Sequence, residues 1–224
     1  MTIYHPLLDR PIRFEENRIQ VLVIENGVAL RNCLEDLSSQ INGCPGEFIL
    51  ADNYEPIELR RFAALATDPL HPDLDSRRLS GKILQAVEKL AEDQESKLRQ
   101  LLAAINDFAA ELSMGLDFEA TFAEQESAEG LLKLLDFHLD RESLDLPTLL
   151  LEWMRLQRAF FGKRLFILYG LKSLLSEDEL GSFYRSVFYE KLDLLLIEAW
   201  QQTPPGKEEI TTIIDRDLCV LQDA

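Results

Sequence analysis

The chain has 224 residues, 46% of them hydrophobic, with three cysteines and a formal net charge of −17. A chain of this length buries roughly 70% of its unfolded surface, so it needs neither a disulfide nor a metal to hold a core. Such acidity argues against an unspecialised nucleic-acid binder, because phosphate binding is driven by Lys and Arg.

Cys33, Cys44 and Cys219 are odd in number and show no Cys-x-x-Cys spacing, which fits a reducing cytoplasm. The segment Met1–Asp9 has no basic n-region, so no signal peptide is expected. No run approaches the roughly 18 apolar residues of a membrane helix. The composition therefore predicts a cytoplasmic protein without a membrane partner.

Ile3–Asp9 and Ile12–Glu15 read as short strands around Arg10-Pro11. Ile19–Ile24 is a near-continuous β-branched run, the mark of a strand buried on both faces. It opens into Glu25-Asn26-Gly27-Val28, where a nucleotide-binding fold would place its phosphate loop. That turn offers one glycine, no lysine and a repelling carboxylate, so it lacks the anion cradle. Val28–Ser39 has helical period, with Leu30, Cys33, Leu34 and Leu37 on one face, and Phe48–Ala51 reads as a second strand.

The middle changes character. After the proline-punctuated connector Asp68–Asp73, one long amphipathic helix is predicted from Arg77 to Met114. Further helices are expected over Ser127–Leu135 and from Pro147 to Phe161. The α/β pattern resumes with the strand Leu165–Tyr169, and Ser176-Glu177-Asp178-Glu179 is a capping box opening a helix. Leu192–Ile197, Ile210–Ile214 and Leu218–Leu221 complete the strands. The pattern is an α/β domain in two halves, 1–60 and 163–224, with a helical insertion over 61–162.

Charge is segregated. Residues 113–145 hold nine acids against two bases, Lys133 and Arg141, whereas residues 153–173 hold five bases and no acid. Asp117, Glu119, Glu124, Glu126 and Glu129 crowd one segment with oxygen donors of the kind hard divalent cations take, though without EF-hand spacing. A solvated acidic loop gives the same pattern. Arg78, Lys82 and Lys89 lie within about 40° of one another on the long helix, until Glu92 and Asp93 interrupt that face. The three histidines have no metal-binding spacing, and no catalytic nucleophile motif is present.

Several segments together resemble a known family. They are Leu7-Leu8-Asp9-Arg10-Pro11-Ile12, Val21-Leu22-Val23-Ile24-Glu25, Leu165-Phe166-Ile167-Leu168-Tyr169 with Leu175-Ser176-Glu177-Asp178-Glu179-Leu180, Leu194-Leu195-Leu196-Ile197-Glu198, and Ile214-Asp215-Arg216-Asp217-Leu218-Cys219. In order and spacing the set is similar to the CRISPR-associated adaptation protein of subtype II-A systems, over the whole chain.

The resemblance implies an α/β, P-loop-like head with a partly parallel sheet but no phosphate loop, interrupted by an inserted α-helical leg. It implies a homotetrameric ring whose basic inner surface encircles double-stranded DNA, entering at its ends without sequence preference. It also implies Ca2+ held by acids after the long helix, with Asp117 and Glu119 favoured over Glu124, Glu126 and Glu129. The implied partners are the CRISPR integrase complex and the RNA-guided effector nuclease, and no catalysis is implied. Candidates for the inner face are Arg78, Lys82, Lys89, Lys133, Arg155, Arg158 and Lys163. Competing functions are a metal-dependent nuclease using the Asp117–Glu129 acids, a degenerate nucleotide-binding protein, and a pure protein-interaction scaffold.

Overall fold

The computed structural model describes residues 1–74, 76–124, 127–134, 144–201 and 206–222. The chain divides into two compact units, Met1–Leu74 with Ser143–Ala224, and Asp75–Glu142.

In the first unit, β1 (Thr2–Tyr4) and β2 (Ile12–Arg13) pair antiparallel. Both are shorter than the sequence pattern suggests. The Leu8 N–H turns back onto the His5 carbonyl at 2.9 Å, and Pro6 and Pro11 lack the N–H that a ladder needs. β3 (Ile19–Ile24) is buried at every residue, Gln20 included, as its near-continuous apolar run predicts. α1 (Gly27–Ile41) follows and buries Ala29, Leu30, Cys33 and Leu37. β4 (Ile49–Asp52) and β5 (Glu55–Ile57) form a hairpin whose two turn residues, Asn53 and Tyr54, both have positive φ, matching the twist of the strands. A short helix, α2 (Leu59–Phe62), leads into β6 (Ala63–Ala66).

β5 and β6 have no strand signal in the sequence. β5 contains Pro56 and β6 reads Ala-Ala-Leu-Ala; both are edge strands, where weak propensity and a missing N–H are tolerated.

The second unit holds α3 (Arg77–Glu92), α4 (Glu95–Met114) and α5 (Ala128–Leu134). The single long helix expected over Arg77–Met114 is therefore two helices, broken at Asp93-Gln94. Glu92 and Asp93 sit at the carboxyl end of α3, where the helix dipole opposes negative charge, while Glu95 sits in the first turn of α4, where the dipole favours it. The apolar period runs through the break and conceals it in the sequence.

The chain returns to the first unit with α6 (Leu146–Phe161). The Asp145 side chain caps it, accepting the Thr148 N–H at 2.9 Å, and Gly162 stops it in the left-handed region at φ 68°. The sequence pattern placed this helix and β6 within the 61–162 insertion, whereas both belong to the first unit. β7 (Leu165–Tyr169), a single turn at Leu171–Ser173, α7 (Glu177–Tyr189), β8 (Asp193–Glu198), β9 (Glu209–Ile214) and β10 (Val220–Gln222) complete it. The capping box on α7 forms as expected, with Ser176 and Glu179 each satisfying the other's backbone N–H.

β2-β1-β4-β5 make a small antiparallel sheet, and the main sheet runs β10-β9-β3-β8-β7-β6. All pairs in the main sheet are parallel except β10 with β9. This is an α/β fold with a partly parallel sheet. On one face Leu22, Ile24, Ile167, Leu195 and Ile197 share a core with α1 and the small sheet. The intervening residues face α6 and α7, where Trp153 meets Phe166 edge-on with ring centroids 5.7 Å apart.

Candidate functional site

The β3–α1 turn is where a strand–turn–helix fold of this kind meets a phosphate, and here the position is filled from within. The Asn26 side-chain oxygen accepts the backbone N–H groups of Val28 and Ala29, both at 3.1 Å. The amide nitrogen donates to the Arg216 carbonyl at 2.9 Å and fixes the orientation. The helix N-terminus thus spends on its own cap the donors an anion would need.

The candidate bases fall into two groups, one in each unit. Arg78, Lys82 and Lys89 are exposed on α3, and neither lysine side chain has a hydrogen bond or ion pair among the described residues. Lys133 lies on α5. In the first unit the bases are engaged within the chain. Arg155 donates to Glu190 through Nε at 3.0 Å and Nη2 at 2.6 Å, and to Glu152 through Nη1 at 2.5 Å. These bonds, those to Glu190 above all, hold the guanidinium even more firmly protonated than usual. Arg158 donates to the Glu190 carbonyl at 2.6 Å, at the carboxyl end of α7, and Lys163 donates to the Arg60 carbonyl.

Of the candidate metal ligands, Asp117, Glu119 and Glu124 are exposed in the stretch after α4, and Glu129 lies in the first turn of α5. Glu126 lies outside the described residues. Oxygen-only donors suit a hard cation. Among the described residues, however, no three carboxylate, histidine or cysteine side chains gather as a metal site would.

A cluster absent from the sequence expectations lies on the α7 face of the main sheet. Glu198 is 2% exposed and accepts the Lys172 backbone N–H at 2.9 Å. The Lys172 ammonium donates to Glu209 at 2.8 Å, with both side chains buried, and the Tyr184 hydroxyl donates to the other Glu209 oxygen at 2.7 Å. Burial pushes the Glu198 carboxyl up to about 7, against the pull of the Lys172 hydrogen bond and charge. Burial, and then the charge of Glu209, raise the Tyr184 phenol. The one sequence signal was a carboxylate closing the apolar run Leu194-Leu195-Leu196-Ile197, where a strand otherwise buried on both faces admits a charge.

The fold and turn define an α/β protein built on a mostly parallel sheet, with a strand–turn–helix unit whose anion position is self-occupied. Residues 40–218 match the model of the CRISPR-associated protein family Cas_Csn2, the family of subtype II-A spacer acquisition. The chain belongs to that family.

Three solved structures show distant similarity. One is described as an ABC transporter (ATP-binding protein) from Pyrococcus furiosus, at 11% identity over 90% of this chain and 88% of that one, with a TM-score of 0.37. An inward-facing metal-chelate type ABC transporter is 10% identical over 96% of this chain and 74% of that one, at a TM-score of 0.43. A bacterial Atm1-family ABC exporter with ATP bound is 12% identical over 96% of this chain and 36% of that one, at 0.40. Superpositions this loose carry no argument about the present chain. No curated protein matches it in sequence. Among the described residues, no helix is long and apolar enough to cross a membrane.

Proposed function

We propose that this chain acts in CRISPR spacer acquisition as a non-catalytic, calcium-stabilised homotetrameric ring that holds double-stranded DNA by its ends. It would work there with the integrase complex and the RNA-guided effector nuclease. The observation that carries the proposal is the α3 face. Arg78, Lys82 and Lys89 are exposed within about 40° of one another, on a chain of net charge −17 that belongs to a CRISPR-associated family. Screening limits each charge's reach to about 8 Å at physiological ionic strength, so a local basic face holds phosphates although the whole molecule is acidic.

Self-assembly has support of its own on α4. Leu98, Leu101, Ile105, Phe108 and Leu112 alternate spacings of three and four, as in a coiled-coil seam, and Leu101, Phe108 and Leu112 are exposed. The deciding experiment compares linear duplex with the same DNA as a closed circle, with and without Ca2+. Binding of the linear form alone, strengthened by calcium, is expected. Equal affinity for both forms would sink the ring, and shortening of the linear DNA in Mg2+ or Mn2+ would favour a nuclease.

A further inference from the structure

Lys172 touches both ends of the β8–β9 crossover. Glu198 is the last residue of β8 and Glu209 the first of β9. The backbone N–H of Lys172 goes to the former and its ammonium to the latter. Two buried carboxylates against one buried ammonium leave one negative charge in excess, and excess charge away from water is costly enough that a group neutralises itself instead.

The donors decide which carboxylate that is. Glu209 receives the ammonium, the Tyr184 hydroxyl and the Gly206 N–H, all of which favour its ionised form. Among the described residues Glu198 receives a single uncharged N–H.

We propose that Glu198 is a proton-binding site of the first unit, keeping its proton beside the Lys172–Glu209 ion pair that joins the β7–α7 connection to the start of β9. The groups facing it from each packed element are few. Lys172 comes from the turn after β7, Tyr184 from α7, and Glu209 from β9, with Glu208 just before it. The neighbouring strand β3 presents Ile19, Val21 and Val23 to this face, and α7 otherwise presents Leu180, Phe183 and Val187, none of which titrates. The raised Glu198 carboxyl agrees with the geometry.

The experiment labels the full chain with carbon-13 at glutamate Cδ and follows the resonances with pH. One glutamate is expected to titrate near 7 and to vanish in Glu198→Gln, and the selective label keeps aspartates out of view. Glu209→Gln should move that midpoint down toward the ordinary glutamate range, because one negative charge leaves while Lys172 stays. The proposal is overturned if every glutamate of the wild-type protein titrates in its ordinary range, or if the neutral-range resonance survives in Glu198→Gln. Should Glu198→Gln fail to fold, Glu209→Gln decides: a midpoint that does not move overturns the assignment.

Discussion

The Asn26 side-chain oxygen lies 3.1 Å from the Val28 backbone nitrogen, and it stands at the helix N-terminus, the position a phosphate oxygen takes where a strand–turn–helix unit binds a nucleotide. The turn is closed to nucleotides by occupation as well as by composition. ATP should therefore neither bind measurably nor be hydrolysed. Asn26→Ala removes the cap and should lower stability by about 1 kcal/mol. It should still not admit ATP, since no lysine follows the turn and Glu25 remains. Calorimetry with ATP and thermal melts of both proteins check this; micromolar binding by either would overturn it.

The buried glutamate gives stability a pH dependence with a definite sign. Glu198 is raised from an ordinary value of 4.5 to about 7 in the folded chain. Its contribution is complete below 4.5, where both states are protonated, and declines as pH rises to about 7, where the folded state ionises too. The full loss is about 3 kcal/mol. His5, which burial lowers from 6.5, works in the opposite direction, but only as pH falls through and below its unfolded value. Melting temperature of the wild-type protein should therefore fall relative to that of Glu198→Gln as pH rises from about 4.5 to about 7, since His5 acts alike in both. Parallel curves for the two proteins would show that Glu198 is not the group responsible.

What the sequence made legible follows from where local and long-range forces agree. β3 and β7 were plain because a near-continuous apolar run has no other stable home than the middle of a parallel sheet, and the α7 capping box was plain because its signal is local. β6 was illegible, since nothing in Ala-Ala-Leu-Ala says strand until β7 offers an edge to pair with. The break between α3 and α4 was hidden because the apolar period does not register a change of helix. For the site, the exposed α3 bases could be read from spacing. The engagement of Arg155 by Glu190, 35 residues away, could not. The Lys172 cluster joins residues from four elements, and no sequence window contains it.

Phe108 tests the α4 seam. It is 60% exposed, so Phe108→Glu should leave the melting temperature of the isolated chain nearly unchanged. The same change puts a charge in the middle of the proposed seam. Light scattering is expected to show a smaller species for the variant than for the wild-type protein. A variant of wild-type mass would remove α4 from the assembly interface.

Calcium should act through the segment after α4. Asp117 and Glu119 are exposed and carry like charge, so a cation that bridges them would relieve their repulsion. Chelation should weaken the assembly, and Asp117→Ala with Glu119→Ala should reproduce chelation in calcium-containing buffer. Identical elution and melting with calcium and with chelator would exclude the site.

The α3 bases and Arg155 make different predictions, which lets one experiment separate contact with DNA from service to the fold. Each phosphate neutralised contributes about −0.9 to the slope of log K against log salt. Replacing Lys82 and Lys89 together by alanine should flatten that slope and weaken binding to all sequences alike. Melting should stay unchanged, because neither side chain has a partner among the described residues. Arg155 is already bound to Glu190 and Glu152. Arg155→Ala should lower stability by up to about 1 kcal/mol, the scale of partly exposed ion pairs, and leave the slope nearly as it was. If the Lys82 and Lys89 double variant keeps the wild-type slope while Arg155→Ala flattens it, the DNA-facing surface lies on α6 and not on α3.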